Sequence, residues 1–215
     1  LELRSRLTRN FRQPTLKELY LPFPTANPDL RPERSLNLDV GLDLKTRYLT
    51  AGCSVYRSEA EDLIKTFGAW PSAEVVNIDR ITVWGVEGRV GLRRLGPLAL
   101  RVSGGWQDVG RYTRQNPSAK LNAELEAKHR FGAHRVGATL SGEWVHGLYM
   151  ANYGRQPLAD VFVMDLTLRD RYSFSSELML EPYLLVRNLL DRRYAYIEGY
   201  PMPGLHLLGG LRMRI

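Results

Sequence analysis

Four histidines, His129, His134, His146 and His206, are the first residues to weigh for chemistry. His146 has Glu143 and Asp160 close by in sequence, and an imidazole with a carboxylate could serve a hydrolase as general base. No two histidines have the spacing of a helical zinc motif, and no segment is read as a helix to carry one. The single cysteine, Cys53, excludes an intrachain disulfide framework and a Cys-based zinc cluster. No glycine-rich loop precedes a helix, so no phosphate cradle is expected. Residues suited to binding are more plentiful: Trp70, Tyr112, Arg114, Tyr149, Asn152, Tyr153 and Arg155. Tyr and Trp give rigid amphipathic contact area, and Arg can grip an anionic group. The expectation is a binding protein without catalytic or metal residues of its own.

The elements that must position these residues follow from alternation. From Ser35 to Leu44, Leu36, Leu38, Val40, Leu42 and Leu44 alternate with Ser35, Asn37, Asp39, Gly41 and Asp43. A β-strand sends successive side chains to opposite faces, so this segment has one apolar and one polar face. The same period recurs at 98–106, 120–128, 136–144, 177–187 and 207–215, and more weakly at 49–55, 86–92 and 162–168. Cys53 falls in the apolar phase with Leu49, Ala51 and Val55. Several runs are longer than the roughly 5–6 residues of a globular strand and match the roughly 9–11 of a tilted membrane strand. The apolar phase is mostly Leu, Val and Ala, with Trp106 and Trp144 near strand ends, as a lipid-facing band with an aromatic girdle requires.

The connections alternate in length. Short turns fall near 45–47, 93–97, 130–134 and 170–175; long loops fall near 10–33, 57–76, 107–117, 145–158 and 188–200. The pattern predicts an all-β, antiparallel, up-and-down transmembrane barrel region of about ten strands, with short periplasmic turns and long extracellular loops. The chain has 215 residues and a formal net charge of +7. Its basic residues are scattered rather than clustered, so nucleic acid is not expected as a partner. No apolar run is long enough for a membrane helix. Rim tyrosines and arginines suit the lipid interface and the phosphates of lipopolysaccharide as naturally as they suit a ligand.

The loops also carry motifs. Asn10-Phe11-Arg12-Gln13-Pro14-Thr15-Leu16-Lys17-Glu18-Leu19-Tyr20 is followed by Asn27-Pro28-Asp29-Leu30-Arg31-Pro32-Glu33. Asn77 precedes Gly85-Val86-Glu87, and Asn188-Leu189-Leu190-Asp191-Arg192-Arg193-Tyr194 precedes Gly199-Tyr200-Pro201-Met202-Pro203-Gly204. In order and spacing these resemble the barrel of TonB-dependent outer-membrane receptors. Leu205 and the terminal Ile215 depart from the Arg and Phe usual there. The prolines stiffen surface loops, and Asn188 and Asp191 can bond nearby backbone, so these motif residues are expected to be scaffold rather than ligand contacts.

The resemblance implies that residues 1–215 are the C-terminal segment of a barrel of about 22 strands, with the plug domain and earlier strands outside this sequence. It implies a multi-pass protein of the outer membrane of a Gram-negative bacterium. Such a receptor imports a bulky, scarce nutrient: a small-molecule metal chelate such as a ferric siderophore, haem or cobalamin. Its partners would be outer-membrane lipid, lipopolysaccharide and the TonB complex, reached through the plug region. No intrinsic cofactor is implied. The alternatives are a self-contained small barrel acting as porin or adhesin and, less favoured, an outer-membrane hydrolase built on His146.

Overall fold

The computed structural model describes residues 1–21, 26–68, 71–152, 154–175 and 178–214, with residues 79 and 93–95 described in backbone only. Ten strands follow one another: β1 Glu2–Arg12, β2 Glu33–Lys45, β3 Leu49–Phe67, β4 Glu74–Leu95, β5 Leu98–Asp108, β6 Ala119–Phe131, β7 His134–His146, β8 Val161–Ser173, β9 Met179–Arg187 and β10 His206–Arg214. They form one sheet in sequence order, and every neighbouring pair is antiparallel. The expected up-and-down meander is therefore the observed one.

Register keeps the two phases on two faces. Leu42 stands opposite Leu3 and Cys53, while Asp43 stands opposite Glu2 and Gly52. Leu36, Leu38, Val40, Leu42 and Leu44 are all exposed. A soluble sandwich would cover this face with a second sheet; here there is one sheet, as a lipid-facing wall requires. Cys53 is exposed on the same face, as its phase predicts. Aromatic residues mark the upper edge of the band: Trp84 meets Trp106 edge-on at 4.8 Å, and Trp144 stacks on His146 at 5.5 Å. At the opposite rim Tyr172 contacts both His134 and Phe174. About ten residues at 3.3 Å each, tilted by roughly 40°, span the ~25 Å of a barrel's apolar band.

The polar face is concave. A cavity of about 1100 Å³ is lined together by Thr50, Arg101, Glu126, Arg169 and Glu181, all in the polar phase and spread from β3 to β9. Strands that far apart can share a cavity only if the sheet curls toward that face. Glycine permits one close approach there: a Cβ at Gly210 would enter the ring of Tyr183 on the neighbouring strand.

Two sequence expectations are corrected. The long loop near 57–76 is mostly strand, because β3 and β4 continue as a pair until Phe67 meets Glu74. The alternation is hidden there because the outward phase becomes charged, with Arg57, Glu59 and Glu61, while the inward phase packs Ile64 and Val75 against the β1–β2 loop. The reading of a chain without helix also fails locally: α1 occupies Leu16–Tyr20. Thr15 and Glu18 form its capping box, in which the Thr15 hydroxyl accepts from the Glu18 N–H and the Glu18 carboxylate accepts from the Thr15 N–H. A single turn carries too little hydrophobic period to stand out from a loop.

Candidate ligand vestibule

At the long-loop rim the connections are tied into two corners. In the first, the β1–β2 loop with α1 packs on the inward side of the β3–β4 extension. Leu30, Ile64 and Val75 form a buried cluster with Leu19 against it. Asn77 fixes the contact: its Oδ1 accepts from the Arg31 N–H at 2.8 Å, and its Nδ2 donates to the Arg31 and Asp62 carbonyls. Asn27 donates to the Val75 carbonyl. Glu33 accepts from the Ile64 N–H and from the Arg12 guanidinium, which also bonds Glu18. The Arg12 hydrogen bond, against an opposing cost of burial, holds the Glu33 carboxyl below the usual carboxylate range. For Glu18, burial pushes the other way, and hydrogen bonds from Thr15 and Arg12 outweigh it to leave a lowered pKa.

In the second corner the three remaining loops meet. The β5–β6 and β7–β8 loops are stitched backbone to backbone. Arg114 bridges Tyr149 in parallel, and the Gln115 N–H donates to the Tyr149 carbonyl at 3.0 Å. The Asn152 side chain accepts from the Arg114 N–H, and the Thr113 hydroxyl joins Ala151 to Gly154. Beneath them, Val145, Leu148, Val161 and Val163 are buried, with Leu158, Tyr194 and Tyr196 packed against them. The wall's polar phase turns apolar at Val145, Val161 and Val163 because the β9–β10 loop covers it.

That third loop is held by Asn188, which is 2% exposed. Its Nδ2 donates to the Arg192 and Pro203 carbonyls, its Oδ1 accepts from the Arg192 N–H, and its own N–H donates to Asp165. Asp191 accepts from the Leu205 N–H at 2.8 Å. Asn188 and Asp191 both have positive φ, which Asn and Asp tolerate better than most residues. The Tyr196 hydroxyl donates to Glu143. Burial and then this hydrogen bond push the Tyr196 hydroxyl pKa well up, so it stays a donor.

Below this loop lies a cavity of about 660 Å³, lined by Asn122, Glu143, Tyr194, Tyr196, Met202 and His206 among others. Both arginines that line it are paired, Arg101 with Glu124 and Arg187 with Asp165. Lys120, at the edge, pairs with Glu143 at 3.6 Å.

Of the residues expected to bind ligand, Tyr112, Arg114, Tyr149, Asn152 and Arg155 fall in the second corner. Arg114, Tyr149 and Asn152 meet directly in the stitching just described. Asn152 thereby acts as a loop clamp. Arg114 and Arg155 are exposed, and Tyr112 and Tyr149 are half-buried. Trp70 and Tyr153 lie outside the described residues. Tyr194, Tyr196 and Arg187, which line the cavity, were not expected there from sequence, and Glu143, which also lines it, was weighed only as a partner of His146. The signal available was the Tyr194-x-Tyr196 alternation just past the Asn188 motif. His146 does reach Asp160, at 2.8 Å, but Glu143 leaves β7 on the opposite face toward Tyr196. The three therefore do not form one site. Among the described residues no group of three or more His, Cys, Asp or Glu side chains could hold a metal.

Residues 1–189 match the family described as TonB dependent receptor-like, beta-barrel. The chain belongs to this family. A relative among characterised proteins is the Vitamin B12 transporter BtuB of Vibrio vulnificus, 35% identical over 103 residues, which is 46% of this chain and 16% of that protein. Among solved structures, the ferric enterobactin receptor PfeA of Pseudomonas aeruginosa superposes with TM-score 0.72 at 17% identity, over 99% of this chain and 38% of that one. The copper transporter OprC gives TM-score 0.71 at 19% identity, over 97% and 36%. The ferric yersiniabactin uptake receptor FyuA of Yersinia pestis gives 0.69 at 18%, over 99% and 34%. The chain spans 16% of the first relative's length and little more than a third of the solved structures. These structural likenesses establish the TonB-dependent receptor barrel fold. The named relatives are transporters and receptors rather than enzymes.

Proposed function

We propose that this chain is the C-terminal wall of an outer-membrane receptor that takes up cobalamin or a closely similar corrinoid by TonB-dependent transport. The long-loop rim faces the cell exterior, and residues 1–215 contribute the late strands of a larger barrel, with TonB engaged through a plug outside this sequence. The observation that carries the substrate class is the wall around the 660 Å³ cavity. Its arginines are each paired with a carboxylate, and the groups left to meet a ligand include tyrosines, Ser103, Asn122, Ser141, Met202 and His206. Such a surface offers hydrogen bonds and apolar contact to a large amide-bearing ligand. A strongly anionic chelate, ferric or haem-like, would instead need unpaired cations there. The relation to a vitamin B12 transporter supports the same choice. A porin or adhesin has no need of this three-loop closure over a cavity.

The test is uptake of radiolabelled cyanocobalamin by cells whose only copy of the receptor is the gene encoding this chain. Uptake that stops on loss of TonB, and binding that falls about tenfold in Tyr194→Ala/Tyr196→Ala, are expected. Binding of a ferric catecholate with no measurable cobalamin binding would replace cobalamin by a siderophore. TonB-independent passage of small solutes would overturn the receptor reading.

A further inference from the structure

The outward face changes character along the long-loop rim. Register sets its residues in rows across β1 to β4. Leu7, Leu38, Arg57 and Trp84 form one row; Arg9, Leu36, Glu59 and Thr82 form the next; Phe11, Arg34, Glu61 and Arg80 form the third. All four arginines are exposed. Arg57 pairs with Glu59 and Arg80 with Glu61. Arg9 and Arg34 have no carboxylate within ion-pair distance among the described residues. They are diagonal neighbours on adjacent strands, about 7–8 Å apart at the backbone, a span that two guanidinium forks can close on one phosphate.

The level of these rows is fixed by aromatic residues. Trp144 on β7, Trp106 on β5 and Trp84 on β4 mark the upper edge of the band, and each lies further along its own register from β7 toward β4, as tilted strands require. Phe11 continues the series on β1. The arginines therefore stand where lipid headgroups begin, with Leu7, Leu36 and Leu38 beside or below them. Over the same rim, β5 to β8 present Trp106, Asp108, Trp144, His146 and Phe162 outward, with no Arg or Lys among the described residues. Among the described residues on the outward strand faces of β1–β8 at this rim, the arginines lie on β1–β4.

We propose that Arg9 and Arg34, flanked by Arg57 and Arg80, bind a phosphate of an outer-leaflet glycolipid whose acyl chains lie along Leu7, Leu36, Leu38 and Val40. The guanidinium groups supply charge-assisted hydrogen bonds to the phosphate oxygens, and the leucines supply the apolar surface for the chains. Glu59 and Glu61 hold Arg57 and Arg80 in place at the margin and leave Arg9 and Arg34 to the anion. This rests on the outer-membrane reading for the leaflet concerned, and on nothing about the transported ligand.

The experiment is native mass spectrometry of the full receptor, released from detergent with bisphosphorylated lipid A, with dephosphorylated lipid A, or with inorganic phosphate as competitor. Wild type is expected to retain the bisphosphorylated lipid. Arg9→Gln/Arg34→Gln should lose about tenfold of that retention, and Arg9→Lys/Arg34→Lys should recover part of it. Lys45→Gln/Arg47→Gln, which removes equal charge at the opposite rim, should match wild type. Equal retention by Arg9→Gln/Arg34→Gln, equal retention of the dephosphorylated lipid, or displacement by millimolar phosphate would each overturn the proposal. Cyanocobalamin binding in the same preparation reports separately on transport: its absence with normal lipid retention would remove the cobalamin reading and leave this site standing.

Discussion

At the β1–β2 corner the amide of Asn77 reaches Arg31 and Asp62 across 46 and 15 residues of sequence. At the β9–β10 corner the amide of Asn188 holds Arg192 and Pro203 within its own loop, 4 and 15 residues away. Both use one carboxamide as acceptor and double donor to pin irregular backbone, which otherwise leaves polar groups unsatisfied. The first corner is closed further by charge, with Arg12 between Glu18 and Glu33. The second is closed by packing and by loops that bond to one another. The difference teaches where a ligand can go. The charged corner satisfies its groups internally and fills its own interior with Leu30, Ile64 and Val75. The other leaves tyrosines and Met202 over an open cavity.

The largest effect that would break this contrast is expected at Asn188. Asn188→Ala strands two carbonyls and an N–H in a buried place, at a cost of about 3 kcal/mol. It should lower the thermal unfolding midpoint of the barrel and weaken ligand binding together. Asn77→Ala removes as many bonds from a more exposed site and should cost about 1–2 kcal/mol. Hydrogen exchange should speed up over 27–32 and 62–77 without change at 188–205. Cobalamin affinity falling as far as in Asn188→Ala would erase the distinction between the corners.

Thr113→Val tests the loop stitching alone. It deletes one donor and one acceptor between the β5–β6 and β7–β8 loops, at about 1 kcal/mol. Faster exchange at Gly154 with an unchanged unfolding midpoint is the expected result. The smallest effect is a pH dependence at the charged corner. Glu33 has a lowered pKa in the folded state, so its contribution is complete above the unfolded value near ~4.3 and is lost as pH falls through the folded value. Because Arg12 is 42% exposed, solvent screening limits this to about 0.5–1 kcal/mol. Exchange at Ile64 should rise on acidification below that value, and Glu33→Gln should abolish the dependence.

Much of this was legible in sequence where a physical period carried it. The phases of Leu36–Leu44 and of Cys53 fixed their faces, because side chains alternate whatever the loops do. Asn188 also declared itself, since it bonds backbone of its own loop, whereas the partner of Asn77, 46 residues away at Arg31, was set by strand pairing. The length of the β3–β4 pair was hidden, because Arg57, Glu59 and Glu61 give an outward strand face the composition of a loop. The inward role of Tyr194 and Tyr196 was hidden because it depends on Glu143 and Val161, which are brought near by strand pairing alone.

By itself, the sequence determined a single antiparallel sheet with an apolar and a polar face, its order of strands, and its place in the TonB-dependent receptor-like family. The sheet and its strand order follow from alternation and turn chemistry, which are local; the family follows from the resemblance of the loop motifs around 10–33, 77–87 and 188–204. Only the tertiary structure decided that Arg101 and Arg187 are neutralised, that Asn152 clamps a neighbouring loop, and that Arg9 and Arg34 stand together at the lipid edge. The Asn152 clamp depends on two loops meeting, and the arginine placements depend on register between strands. A shift of one residue would send every side chain concerned to the other face.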